Sequence, residues 1–126
     1  RVIFIWEQCD LVRNWNNPNF DIQRKLNFQK ELFFVGLLND EIIATVMFGY
    51  DGHRGWLNYF AVLPNFQKRG FGKQLISFGE MALIERGCPK LNLQIRNDNT
   101  KAISFYQKVG YKEDTAVSFG KRLIED

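Results

Sequence analysis

The sequence lacks the ingredients of several protein classes. No apolar run approaches the ~18 residues that a membrane-spanning helix needs, which argues against a helix that crosses a membrane. The chain has 2 cysteines, Cys9 and Cys88, and one histidine, His53, far apart and without the usual ligand spacing of a zinc site. Because no CxxC pair is present, we interpret the cysteines as reduced thiols of a cytoplasmic protein and expect no metal cofactor.

A strong charge of one sign is also missing. The 17 Lys and Arg residues oppose 14 Asp and Glu, giving a formal net charge of +3, whereas most nucleic-acid-binding domains are more positive. Aromatic residues, by contrast, are abundant: 12 Phe, 4 Tyr and 3 Trp in 126 residues. They supply the bulk for one hydrophobic core. We therefore expect a single domain over residues 1–126, with neither nucleic acid nor membrane as a partner.

Hydrophobic patterning predicts an α/β fold of mixed layers. The turn-forming pair Asn39 and Asp40 predicts a hairpin, and Gly87 stands where a helix is expected to end. The predicted helices cover residues 2–9, a short segment capped by Asp21, 73–86 and 100–109. The predicted strands cover residues 32–37, 42–50, 56–62, 91–96 and 115–119, and loops cover 10–19 and 51–55.

The most informative segment covers residues 62–73, where a predicted strand ends, a loop contains Gly70 and Gly72, and a helix follows. Such a loop directs backbone N–H groups and a helix N-terminus at one point, which suits phosphate oxygens. The segment is neither a P-loop nor the dinucleotide fingerprint, whose third glycine is missing. A tight turn with solvated basic side chains is the plain alternative. The flanking cations are Lys68, Arg69 and Lys73.

Two motifs resemble the GCN5-related N-acetyltransferase (GNAT) family. Gln67-x-x-Gly70-x-Gly72 resembles its loop for the pyrophosphate of coenzyme A. Further on, Asn99-x-x-Ala102-x-x-x-Tyr106-x-x-x-Gly110-Tyr111 is similar to a second family segment, with Tyr111 in place of Phe. The resemblance covers about residues 32–123, and residues 9–11, 49–55 and 120–126 resemble the bacterial YpeA-type branch. Because the family has a strand before its first helix, we expect this numbering to lack a short N-terminal stretch of the natural protein.

The resemblance implies the GNAT fold, a mostly antiparallel mixed sheet with helices on both faces. It also implies transfer of an acetyl group from acetyl-CoA to a primary amine by direct attack in a ternary complex. Tyr106 is then the candidate acid for the leaving thiolate and contacts the coenzyme, as does Asn99. Backbone groups of Phe60, Ala61 and Val62 are expected to contact the pantetheine arm. The pyrophosphate is expected to be held by Gln67, Lys68, Arg69, Gly70, Phe71, Gly72 and Lys73.

The sequence leaves alternatives for both the general base and the acceptor of the acetyl group. The general base is Tyr59, Asp51, His53 or a chain of waters, and the acceptor is a small amine, an amino acid or a protein terminus. A non-catalytic acyl-CoA sensor with the same fold and an α/β nucleic-acid-binding module are the alternative functions, and a homodimer is not ruled out. The loop residues that the resemblance assigns to acceptor binding are Asp10, Arg13, Trp15, Asp51, His53 and Arg54.

Overall fold

A four-stranded sheet is the centre of the computed structural model, which describes residues 1–126. Its strands, in the spatial order β1-β2-β3-β4, are β1 (Phe33–Leu38), β2 (Glu41–Tyr50), β3 (Gly55–Val62) and β4 (Leu91–Asn92). The first three strands pair antiparallel, and β4 pairs parallel to β3. This sheet confirms the predicted mixed, mostly antiparallel architecture.

Four α-helices accompany the sheet: α1 (Val2–Gln8), α2 (Pro18–Leu26), α3 (Phe71–Glu85) and α4 (Thr100–Lys108). Helix α3 buries Ile76, Gly79 and Leu83 on one face, as the apolar spacing predicted. It is followed by Gly87, whose φ of 81° is the left-handed conformation typical of a residue just past a helix. None of the helices combines the length and apolar character needed to cross a bilayer.

Helices α1 and α3 cover opposite faces of the sheet. Met47 and Phe48 are consecutive residues of β2, so their side chains point to opposite faces. Met47 belongs to a buried cluster with Ile5 and Trp6 of α1, whereas the ring of Phe48 lies against Gly79 of α3. This arrangement confirms the expected placement of helices on both faces of the sheet.

The close approach of α3 to β2 predicts a large loss of stability on substituting Gly79. A Cβ atom at Gly79 would lie 2.0 Å from Cε2 of Phe48, whose side chain is fully buried. Because the ring has nowhere to move, we expect Gly79→Val to lower the free energy of unfolding by about 1–3 kcal/mol. Ser77→Val, at an exposed position of the same helix, is the control. Equal urea midpoints for the two variants would contradict this packing.

Three predicted elements differ from the structure. Helix α2 begins at Pro18, earlier than predicted, and its N-cap is Asn17 instead of Asp21, because the Asn17 side chain accepts hydrogen bonds from the first-turn N–H groups of Asn19 and Phe20. Strand β4 covers only Leu91–Asn92 of the predicted 91–96, since its ladder with β3 has two pairs. The strand predicted over 115–119 is wrong: those residues form no ladder.

The chain forms two compact units, Arg1–Leu93 and Gln94–Asp126. The first contains the sheet and helices α1 to α3. The second contains α4, and the side chain of Asn99 caps this helix by accepting a hydrogen bond of 3.1 Å from the N–H of Ala102. Gly110, with a φ of 101°, follows the helix. The helix and its two terminal residues were therefore predicted correctly.

Candidate active site

The loop between β3 and α3 ends in an open helix N-terminus. Gly70 has a φ of 85°, and no atom lies within 4 Å of where its Cβ would stand. The first bond of α3 runs from the N–H of Gln74 to the carbonyl of Gly70, at 3.1 Å, and no side chain caps the helix. The three N–H groups of residues 71–73 therefore have no acceptor within the helix, an arrangement that suits an anion.

Gln67 fastens this loop to the end of β3. Its Nε2 donates a hydrogen bond of 2.8 Å to the carbonyl of Val62, which also accepts one of 3.2 Å from Sγ of Cys9. The side-chain amide of Gln67 thus has a local partner. One of the two N–H donors of this amide is therefore used to hold the loop to the end of β3.

Three cations surround the open helix end. The guanidinium of Arg69 lies 5.4 Å from the ring centroid of Phe66 and 5.2 Å from that of Phe71, which holds its charge beside the loop. Lys68 and Lys73 are exposed. All three cations therefore belong to the loop or to the first turn of α3, as the three N–H groups do.

A bulge in β3 precedes this loop. Thr45 and Met47 of β2 face Ala61 and Asn58 of β3, so β3 has one extra residue between these pairs. Tyr59 lies in this interval with a φ of 51°, which is strained for a residue with a Cβ. The ladder of β3 with β4 ends at Trp56. Phe60, Ala61 and Val62 therefore lie beyond the ladder of β3 with β4.

A cleft of about 690 Å³ opens beside the bulge, within the first unit. Four segments line it: the loop after α1, helix α2 with Phe28 just after it, the C-terminal half of β2 and the bulged part of β3. Its lining residues are Leu11, Arg13, Trp15, Asn16, Asp21, Arg24, Lys25, Phe28, Met47, Gly49, Asn58 and Tyr59.

A hydrogen-bonded chain lies in the wall of the cleft. The hydroxyl of Tyr59 donates to Oδ2 of Asp21 at 2.5 Å and accepts from Nδ2 of Asn16 at 2.5 Å. Its ring stacks on Trp6, with centroids 3.8 Å apart and planes at 11°. Oδ1 of Asp21 pairs with Nη1 of Arg24 at 3.2 Å. These contacts fix a phenol and a carboxylate side by side in the cleft.

Lys25 contributes a half-buried ammonium to the same cleft. Its Nζ donates to the backbone carbonyl of Phe48. Burial lowers the pKa of Lys25, Glu31 opposes this shift and Arg86 adds to it. Loss of solvation thus outweighs the attraction of Glu31, and an anion in the cleft would stabilise this charge.

The hairpin turn with three predicted acceptor residues lies outside this lining. Oδ1 of Asp51 accepts hydrogen bonds of 2.8 Å from the backbone N–H groups of Arg54 and His53, and these bonds lower the pKa of Asp51. Its carboxylate therefore stabilises the turn in the ionised form. Among the residues predicted on the acceptor side, Arg13, Trp15 and Tyr59 line the cleft, whereas Asp10, Asp51, His53 and Arg54 do not.

Tyr106 lies in the second unit, on the buried face of α4. Its side chain is 7% exposed and packs edge-on against Phe105 and Tyr111, with centroids 5.2 and 5.7 Å away. Burial raises the pKa of Tyr106. This burial favours the neutral form of the phenol.

The sequence interpretation missed the polar face of α2. Asp21, Arg24 and Lys25 stand at positions i, i+3 and i+4 of α2, which share one side of a helix, and all three line the cleft. The spacing of the three charges was visible in the sequence. The sequence analysis placed Asp21 at the N-cap of the helix and therefore did not predict a shared face.

Comparison with known proteins places the chain among acetyltransferases. The model of the acetyltransferase (GNAT) family matches residues 1–111. An acetyltransferase of Yersinia pestis (strain Pestoides F) is 51% identical over 125 residues, covering 99% of this chain and 89% of the relative.

Solved structures share the fold. An aminoglycoside acetyltransferase from an uncultured soil metagenomic sample, in complex with trehalose, superimposes with a TM-score of 0.73 at 25% identity, covering 98% of this chain and 86% of that chain. AAC(6')-Iy, in complex with the bisubstrate analogue CoA-S-monomethyl-acetylneamine, does so with a TM-score of 0.75 at 17% identity, covering 98% and 92%.

Proposed function

Because the chain belongs to the acetyltransferase (GNAT) family, we propose that it transfers the acetyl group of acetyl-CoA to a primary amine by direct attack in a ternary complex, with residues 1–126 acting as one GNAT domain. In this reaction the amine nitrogen forms a bond to the acetyl carbon and the carbon–sulfur bond of the thioester breaks. The nitrogen loses one proton, and the departing thiolate gains one.

The open N-terminus of α3 is the observation that carries this proposal. Three N–H groups without an acceptor in the helix, a glycine in the left-handed conformation and the flanking cations match the needs of a pyrophosphate. In this proposal Gln67 positions the loop, and Gly70 lets the phosphates approach the backbone. Backbone groups of Phe60, Ala61 and Val62 hold the pantetheine arm.

We expect acetyl-CoA to stabilise the folded protein through this loop. At a concentration about 100 times the dissociation constant, a ligand adds about 2.7 kcal/mol to the free energy of unfolding. Gly70→Val should remove this shift in thermal denaturation, because a branched side chain at positive φ strains the loop and blocks the phosphates. The control is Gly87→Val at the other end of α3, where φ is also positive, at 81°, and the Cβ position is open.

The two variants carry similar backbone strain, so both should lower the melting temperature without ligand. The Gly87→Val protein should keep the acetyl-CoA shift. Equal shifts in both variants would contradict the assignment of the loop, and no shift in the unaltered protein would contradict the proposed function.

The cleft beside Tyr59 is the proposed site of the amine. The hydroxyl of Tyr59 and the carboxylate of Asp21 accept hydrogen bonds from the nitrogen and orient its lone pair. The nitrogen becomes strongly acidic as its bond to the acetyl carbon forms, so a carboxylate is basic enough to take the proton. Among the sequence candidates for the base, we therefore favour Tyr59 acting together with Asp21.

A further inference from the structure

We propose that the acceptor is a small amine that also bears an anionic group, a carboxylate or a phosphate, and that Lys25 and Arg13 bind this group. The inference rests on the proposed function and deepens it, because it names the class of acceptor. Asp21 and Tyr59 bind the amine end of the same molecule.

The charges of the cleft favour such an acceptor. Its lining contains the cations Arg13, Arg24 and Lys25 and one acid, Asp21. Arg24 and Asp21 pair with each other, so positive charge is left over. Arg13 has a partner outside the lining, Asp10, at 3.0 Å. Since this pair is partly exposed, water screens it and a ligand can compete for the guanidinium.

Lys25 is the strongest part of the argument. Its ammonium is half-buried and held against the carbonyl of Phe48, and no carboxylate forms an ion pair with it. Burial of this charge outweighs the attraction of Glu31, and a charge that is partly desolvated and incompletely compensated is costly. An anionic group in the cleft would supply a counter-charge and form a charge-assisted hydrogen bond.

The spacing on α2 sets the size of the acceptor. Asp21 and Lys25 are four residues apart, so their Cβ atoms are about 5–6 Å apart on one face of the helix. A molecule that bridges them needs its amine and its anion a few bonds apart. β-Alanine and O-phosphoethanolamine have this form, whereas a polycation would be repelled by the net positive charge of the cleft.

The experiment measures acetylation of matched acceptor pairs. Release of the thiol from acetyl-CoA is followed with β-alanine against its amide, with O-phosphoethanolamine against ethanolamine, and with neamine as the polycation. We expect the anionic member of at least one pair to have a kcat/KM at least tenfold above its neutral partner. The pair that responds distinguishes a carboxylate from a phosphate.

Two variants locate the effect. Lys25→Met keeps the length of the side chain and should reduce the anionic-to-neutral ratio about tenfold. Lys30→Met removes the same charge from an exposed residue outside the lining and should keep the ratio. If Lys25→Met fails to fold, Arg13→Gln takes its place, with a reduction expected in the same direction.

The results distinguish failure of the inferred acceptor class from failure of the proposed acetyl transfer. Equal rates within both pairs, a preference for neamine, or no acetylation of either anionic amine by a protein that binds acetyl-CoA would overturn the inference. An unchanged ratio in both Lys25→Met and Arg13→Gln would also overturn it. Failure of the unaltered protein to bind acetyl-CoA would instead overturn the proposed function.

Discussion

Tyr106→Phe is expected to lower kcat and kcat/KM by about 10²-fold or more while leaving the affinity for acetyl-CoA unchanged. The substitution keeps the ring and its packing against Phe105 and Tyr111 and removes only the hydroxyl. In the proposed reaction this hydroxyl donates to the thiolate as negative charge develops on sulfur. A single donor to such a charge typically contributes about 10²–10³-fold.

The environment of Tyr106 defines how it acts. Burial raises the pKa of its phenol, whereas the thiol of the leaving group has an ordinary pKa near 8.5. Complete transfer of the proton from phenol to thiolate is therefore uphill. We infer that Tyr106 stabilises the thiolate by hydrogen bonding and that solvent protonates it afterwards.

The control for this prediction is Tyr111→Phe. Tyr111 occupies the place where the resembling family segment has Phe, and its ring contacts that of Tyr106, so the substitution removes a neighbouring hydroxyl. It should leave kcat within about twofold. Unchanged pre-steady-state acetylation in Tyr106→Phe would show that another group stabilises the thiolate. Loss of acetyl-CoA binding in that variant would assign Tyr106 a structural role.

Local signals made most of the fold predictable. The Asn39–Asp40 turn is set by neighbouring residues, and both of its residues have positive φ, as a tight hairpin requires. Helix α3 combines an apolar face with a glycine after its end. The predicted strand over 115–119 had a suitable residue pattern, but a strand also needs a neighbour to complete its ladder, and no pattern within one segment reports that neighbour.

The candidate site was predictable only where its residues are neighbours in the sequence. The loop of residues 67–73 is one continuous segment, so its spacing was informative. The cleft instead depends on four separate segments and on the bulge at Tyr59, where a tyrosine has a φ of 51°. Nothing in the local sequence predicts that conformation. The partnership of Tyr59 with Asp21 joins residues 38 positions apart and became visible only in the structure.

Asp21→Asn is expected to lower kcat/KM at neutral pH by about 10²-fold, in the range typical of a lost general base. The amide still accepts a hydrogen bond from Tyr59, so the shape of the site is kept and only the charge and basicity are removed. The difference from the unaltered enzyme should narrow as the pH approaches the amine's pKa of about 10. More of the acceptor is then neutral, and hydroxide takes over the proton.

Asp51→Asn is the matched control, because the sequence offered Asp51 as a candidate for the base beside Tyr59 and His53. Its Oδ1 accepts two backbone N–H bonds in the hairpin turn, which an asparagine oxygen can also accept, and it does not line the cleft. We expect its pH–rate profile to match that of the unaltered enzyme. A reduction of kcat/KM in Asp21→Asn that stays constant from about pH 6 to about pH 10 would mean that Asp21 only shapes the cleft. Loss of a proton acceptor depends on pH, whereas loss of a structural carboxylate does not. A reduction of kcat/KM in Asp51→Asn that shrinks with rising pH would therefore assign the role of base to Asp51.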